Sequence, residues 1–250
     1  LLFWEEQMST DNRVACGTCH TFGAGGADMR RSRNPGADGL NGTPDDIFGS
    51  PGIIRSNANN DYIPDPDFRF GPQVTNRTTP SFLTAAYFTR LFWDGRAGGQ
   101  FVDPDTGLTL ISGGGALENQ SLEPILSPVE MAHDSRSFNQ AVAKLNAVKP
   151  MALATNLPAD MASAVAGNTT YPDLFQAAFG SSTISAARIA LAIATYQRTL
   201  VPDQTPYDAF VAGNPGALTP QQAGGLNVFL GPGRCAICHT SGLGTREITR

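Results

Sequence analysis

The chain has 250 residues, 41% hydrophobic and 16% charged, an ordinary globular composition that excludes global disorder. Its 17 Lys and Arg against 22 Asp and Glu leave a net charge of −5 with no basic run, which argues against a nucleic-acid partner and leaves small molecules or basic proteins. No stretch approaches the roughly 20 apolar residues of a membrane span, and no signal peptide is recognised before Leu1, an opening expected of a mature or truncated N-terminus.

In chain order, Leu1–Gln7 reads as a short helix running through a polar turn into Val14-Ala15-Cys16. Residues 21–75 are rich in Gly, Pro, Asn and Asp, and a loop of that length is expected to be functional or held in place by something else. Helical signals return at Pro80–Tyr87 and Ser137–Val148, separated by the Gly113–Gly115 turn. Pro172–Phe179 is a helix stopped by Gly180, which suits the left-handed position after a C-terminus. Ser185–Leu200 carries Ile189, Ile193, Tyr196 and Leu200 as an amphipathic stripe. Thr219-Pro220-Gln221-Gln222 predicts a capped helix start with Pro in the first turn. No alternating strand of useful length stands out, so the fold class is mostly α with long irregular loops.

All four cysteines fall into two identical arrangements, Cys16-Gly-Thr-Cys19-His20 and Cys235-Ala-Ile-Cys238-His239. In CxxCH the thiols add to the vinyl groups of a haem, and the adjacent His20 or His239 supplies an iron ligand. A zinc site would want its CxxC pairs about 15–20 residues apart, a disulfide framework belongs to smaller chains, and a redox CxxC expects a βαβ context. Two covalently bound haem c groups are therefore the cofactor reading. That attachment places the protein in the bacterial periplasm or cell envelope.

The segments between the motifs resemble the bacterial di-haem cytochrome c peroxidases and the MauG-like enzymes. The resemblance rests on Thr79-Pro80-Ser81-Phe82-Leu83, Phe92-Trp93-Asp94-Gly95-Arg96-Ala97, Gln120, Pro124-Ile125 and Pro128-Val129-Glu130-Met131. It continues through Tyr171–Phe175, Ala178-Phe179-Gly180, Gln197–Leu200 and Gly225–Phe229. It implies two cytochrome c-like haem domains, with 1–150 holding the peroxidatic haem and 151–250 a truncated electron-transfer domain. Glu130 matches the distal acid-base residue, Gln120 an amide in the same pocket, and Trp93 the tryptophan between the haems. Outside this context Trp93 would read as core packing, and Glu130 and Gln120 as surface polar residues. Arg96 is read as structural or propionate-binding. A calcium ion is also a family feature, with Asn76 as candidate ligand, while the Asp38–Asp46 loop reads as a solvated turn rather than a cation site.

Two departures from the family pattern bear on activity. Residues 60–92 hold no histidine, so the first haem is expected to be open at rest, as in the MauG-like members, and the spare His133 reads as a solvent-exposed loop residue. The sixth ligand of the second haem is expected beyond the end of this chain. The resemblance implies reduction of hydrogen peroxide to water, with electrons from a small cytochrome c or cupredoxin relayed through the second haem. The alternatives are a MauG-like oxidase of a protein side chain and a plain electron-transfer cytochrome. A homodimer is expected by analogy.

Overall fold

The structure is a computed structural model that describes residues 1–239; residues 240–250, the end of the expected second domain, lie outside the described residues. Two compact units divide the chain, Leu1–Thr199 and Leu200–Arg250. This division falls well beyond residue 150, because the helices between 151 and 199 pack into the first unit.

The first unit begins without the expected helix. Leu2–Trp4 and Glu6–Met8 are separate 3-10 turns broken at the extended Glu5. The cause is the buried Glu5 carboxylate, which accepts from the Gln7 amide at 3.0 Å, the Met151 backbone at 2.7 Å and the Tyr171 hydroxyl. A carboxylate so occupied cannot be turned outward, as a continuous helix would require. The turn α1, Cys16–Cys19, follows.

Three short antiparallel ladders follow, two of them within the Gly- and Pro-rich region. They pair β1 (Ser32–Asn34) with β2 (Ile47–Gly49), β3 (Pro51–Ile54) with β4 (Pro72–Val74), and β5 (Phe101–Val102) with β6 (Thr109–Ile111). In place of the helix expected over Pro80–Tyr87 there is a single 3-10 turn, Ala85–Tyr87, entered from Thr84 at φ 63°.

Helices then dominate: α2 (Ala116–Leu126), α3 (Phe138–Ala147), α4 (Ala159–Ala164), α5 (Tyr171–Phe179) and α6 (Ala186–Gln197). The expected starts and stops hold. Ser137 caps α3 through Gln140, Ser185 caps α6, and Gly180 ends α5 at φ 70°. The core forms where α2 buries Leu117, Leu122 and Ile125 against Ile189, Ala190, Ile193 and Ala194 of α6. Alanines on α6 let the two helices close on each other. At the rim Arg198 grips the buried Glu118 with two bonds of 2.7 and 3.0 Å.

The second unit carries α7 (Pro206–Val211) and α8 (Pro220–Leu230). Thr219 and Gln222 form the expected capping box. The whole is mostly helical with irregular loops, and among the described residues no helix is long and apolar enough to cross a membrane.

Candidate active site

The first CxxCH lies on α1 and is held from below by the N-terminal turns. Ala15 donates its N–H to Thr18 Oγ1 at 2.9 Å, and His20 donates its own to the Cys16 carbonyl at 3.0 Å. The Trp4 ring lies directly on Gly17, where an added Cβ would sit 2.2 Å from the indole. Glycine between the two cysteines is therefore a packing requirement. Arg30, paired with the buried Asp28, reaches the Cys19 sulfur at 3.2 Å.

Burial pushes the Cys16 thiol up to about 12 and the Cys19 thiol up to about 11, and the charge of Glu130 adds to both. Both groups are thus neutral thiols facing the same space as Glu130. His20 donates Nδ1–H to the Gly26 carbonyl at 3.1 Å, which fixes the tautomer and leaves Nε2 with its lone pair. Burial lowers its pKa and keeps the imidazole neutral. Phe3 and Phe82 flank the ring, with centroids 6.2 and 5.6 Å away.

These groups open onto a cavity of about 1230 Å³. Cys16, Cys19, His20, Asn76, Trp93, Arg96, Gln120 and Glu130 all line it, so residues scattered over more than a hundred positions meet in one place. Gln120 projects from α2, where Pro124 cannot donate to the Gln120 carbonyl and the helix ends soon after. Glu130 sits on the turn that follows, its N–H bonded to the Ser127 carbonyl at 3.1 Å. That turn is braced from outside. Gln73 on β4 donates to the Pro128 carbonyl at 2.6 Å, and a Cβ on Gly52 of β3 would come within 1.9 Å of the Val129 oxygen. Burial raises the Glu130 pKa, Ser127 opposes by hydrogen bonding, Glu123 adds to the rise and Arg96 opposes it. A smaller cavity of about 380 Å³ shares Arg96, Ser127 and Glu130 with the large one and adds Glu123.

Trp93 stands on a tight reversal closed by Leu91 N–H to the Ala97 carbonyl at 3.0 Å and Gly95 N–H to the Phe92 carbonyl at 3.1 Å. Asp94 is gripped by Arg77 at 3.1 Å and Arg96 at 3.0 Å, and Arg96 also reaches Glu123 at 2.7 Å. The Arg96 guanidinium lies 3.5 Å over the Phe92 ring. The Arg77 hydrogen bond, aided by Arg96, holds the Asp94 carboxyl down to about 2. Trp93 itself is 90% exposed, so core packing does not account for it.

Other expected residues take different places. His133 is buried, its N–H bonded to Thr10 Oγ1 at 2.8 Å and its Nδ1 to the Asp134 carbonyl at 2.8 Å, so the solvent-exposed reading is corrected. It does not line the cavity, where His20 is the only histidine among the described residues. Asn76 is exposed at the rim. In the Asp38–Asp46 loop the carboxylates serve local backbone N–H groups, with Asp45 receiving Ala37 and Asp38 and Asp46 receiving Gly42. Among the described residues no cluster of three His, Cys, Asp or Glu is placed to hold a metal ion.

In the second unit α8 leads to the turn Cys235–Ile237, where His239 donates to the Cys235 carbonyl at 2.9 Å, the same bond that His20 makes. Cys238 and His239 are exposed, and Phe229 lies 6.2 Å from the His239 ring.

The first motif fits a c-type haem. Two thiols on one turn stand beside a neutral imidazole, above a cavity larger than the roughly 300–1,000 Å³ of small-ligand pockets. The side chains that sequence reasoning missed, Phe3 and Trp4 beneath His20 and Gly52 behind Glu130, act through contacts between distant positions that no local spacing reveals.

Comparison with known proteins places this architecture. The family described as di-haem cytochrome c peroxidase matches residues 1–216. The methylamine utilization protein MauG of Methylorubrum extorquens is 27% identical over 96% of this chain and 47% of its own length. Cytochrome c551 peroxidase of Pseudomonas aeruginosa is 25% identical over 95% and 48%, and cytochrome c peroxidase Ccp of Escherichia coli 26% over 95% and 35%. The chain thus spans half or less of the length of these relatives. The crystal structure of a MauG-like protein associated with microbial copper homeostasis superposes with a TM-score of 0.55, covering 96% of this chain and 50% of that one at 22% identity, a likeness of fold alone. On the strength of the match over residues 1–216, the chain belongs to the di-haem cytochrome c peroxidase family.

Proposed function

We propose that this chain is part of a peroxidase that reduces hydrogen peroxide to water in the cavity above His20, with Glu130 as its acid-base group. The observation that carries the reading is the placement of Glu130. It is a partly buried carboxyl of raised pKa in the same cavity as His20 and both thiols. Haem bound at the two CxxCH motifs would supply redox-active iron, for peroxide at the first and for electrons from a small cytochrome or cupredoxin at the second. Glu130 takes the proton of the near peroxide oxygen and returns it to the far one, so that water leaves. Gln120 offers its amide to the same peroxide. Arg96, held by Asp94 and Glu123, keeps positive charge beside Glu130 and stands at the cavity wall where a haem carboxylate can pair with it. Trp93 serves electron passage between the two haems, and its exposure leaves the ring free for that role. Asn76 is the candidate side-chain ligand for calcium. The protein works in the cell envelope, where c-type haem is attached.

The decisive experiment measures peroxide consumption by the haem-loaded protein with a reduced cytochrome donor. Glu130→Gln is expected to lower turnover by about 10²- to 10⁴-fold, the usual worth of a positioned acid-base group, at unchanged haem content. A wild-type protein that ignores peroxide even after half-reduction sinks the reading. A second reading, a MauG-like oxidase of a protein side chain, is favoured by the absence of a second histidine in the described cavity lining. Trapping a partner protein oxidised at a side chain would select it.

A further inference from the structure

Beside His20 the first unit assembles an aromatic group that neither haem attachment nor acid-base chemistry uses. Phe3 lines the cavity, with its ring centroid 6.2 Å from His20. Immediately behind it stand Trp4 at 5.2 Å and Tyr196 at 5.3 Å. Trp4 donates its indole N–H to the Tyr196 hydroxyl at 3.1 Å, a bond spanning the first turn of the chain and helix α6. The same indole lies on Gly17 between the two cysteines. Its outer side stacks at 6.2 Å on Phe22, which is 55% exposed. An easily oxidised side chain thus touches the haem-attachment turn on one side and approaches solvent through Phe22 on the other.

We propose that Trp4, hydrogen-bonded to Tyr196, is a one-electron donor site on the His20 side of the cavity, distinct from Trp93. The inference rests on the peroxidase reading, because hydrogen peroxide is its oxidant. Reducing one peroxide to two waters consumes two electrons and two protons; Trp4 supplies one electron from its indole π system, the bound haem iron would supply the other, and solvent supplies the protons. No proton leaves Trp4. The indole N–H stays on nitrogen, and its bond to the Tyr196 oxygen stabilises the positive charge that the ring acquires. An external one-electron reductant arriving at the Phe22 face returns the missing electron. In its absence the ring is the expected site of oxidative damage.

The test mixes haem-loaded protein with hydrogen peroxide, without reductant. It follows the haem absorption bands, the EPR signal of freeze-quenched samples, and oxygenation of each tryptophan by peptide mass spectrometry. The expected result is an organic radical that survives in Trp93→Phe and is lost in Trp4→Phe, with oxygenation concentrated at Trp4. Tyr196→Phe keeps the ring but removes the hydrogen bond, so it should change the hyperfine pattern and shorten the radical's lifetime even if Trp4→Phe folds poorly. Changed haem bands without a radical or oxygenation at Trp4 overturn this inference alone. Haem bands that do not respond to peroxide overturn it together with the peroxidase reading.

Discussion

Glu130 and Glu123 show how much of the chemistry depends on neighbours that no motif contains. Glu123 raises the Glu130 pKa and also holds Arg96 at 2.7 Å, so removing its charge acts twice. Glu123→Gln takes away the repulsion and frees Arg96 to favour the carboxylate. In the proposed mechanism the base form of Glu130 takes the first proton, so kcat/KM for peroxide should rise with pH through its pKa. In Glu123→Gln the midpoint of that rise should move to lower pH. A midpoint that stays put or moves up would show that Glu123 does not act on Glu130. The two CxxCH motifs were legible because each is a local pattern, two cysteine sulfurs and one imidazole within five positions. Trp4 and Glu5 were not, because their partners Tyr196 and Tyr171 lie far along the chain and only the fold introduces them.

At the scale of elements, helix ends were readable and strands were not. Ser137, Ser185, Gly180 and Thr219 act through bonds within one turn, so their residue types declare them. The ladders are two to four residues long and built partly of Pro and Gly, too short for alternation to register. Their use became visible only in place, where β3 and β4 brace the turn that presents Glu130. Gly52→Ala forces a methyl group against the Val129 oxygen, an overpacking worth about 1–3 kcal/mol if the turn cannot yield. If the turn does move, turnover should fall between about ten- and a hundredfold with haem attachment intact. Wild-type turnover in a folded Gly52→Ala protein would show that the brace is dispensable.

The Trp93 reversal makes an acid-side prediction. Asp94 has a depressed pKa in the folded chain, so its contribution is fully present above the unfolded value of about 3.9 and is lost as pH falls through about 2. A carboxyl carbon NMR titration should find the Asp94 midpoint at the low end of the chain's aspartates, and Arg77→Gln should raise it. An ordinary midpoint in the native protein would mean that the arginine clamp is open in solution.

For the molecule as a whole, the mostly helical class was legible, whereas the extent of each packed unit is set by contacts between distant positions. Periodicity reports which face of α6 is apolar, with Ile189 and Ile193 inward, but not that the face meets α2 seventy-odd positions earlier. A boundary near residue 150 follows from dividing the chain between two motifs. The packing instead keeps everything to Thr199 with the first of them. The long Gly- and Pro-rich region has a further consequence. One side of the cavity is walled by regular helices and the other by ladders and turns that bury few apolar side chains, so the two sides should open to solvent at different free energies. Native-state hydrogen exchange would resolve them. Amides of β1 to β4 should exchange through small, denaturant-insensitive openings, while those of α2 and α6 wait for global unfolding. The cavity would then breathe through its loop side, letting small solutes in and out while the helical frame stays shut.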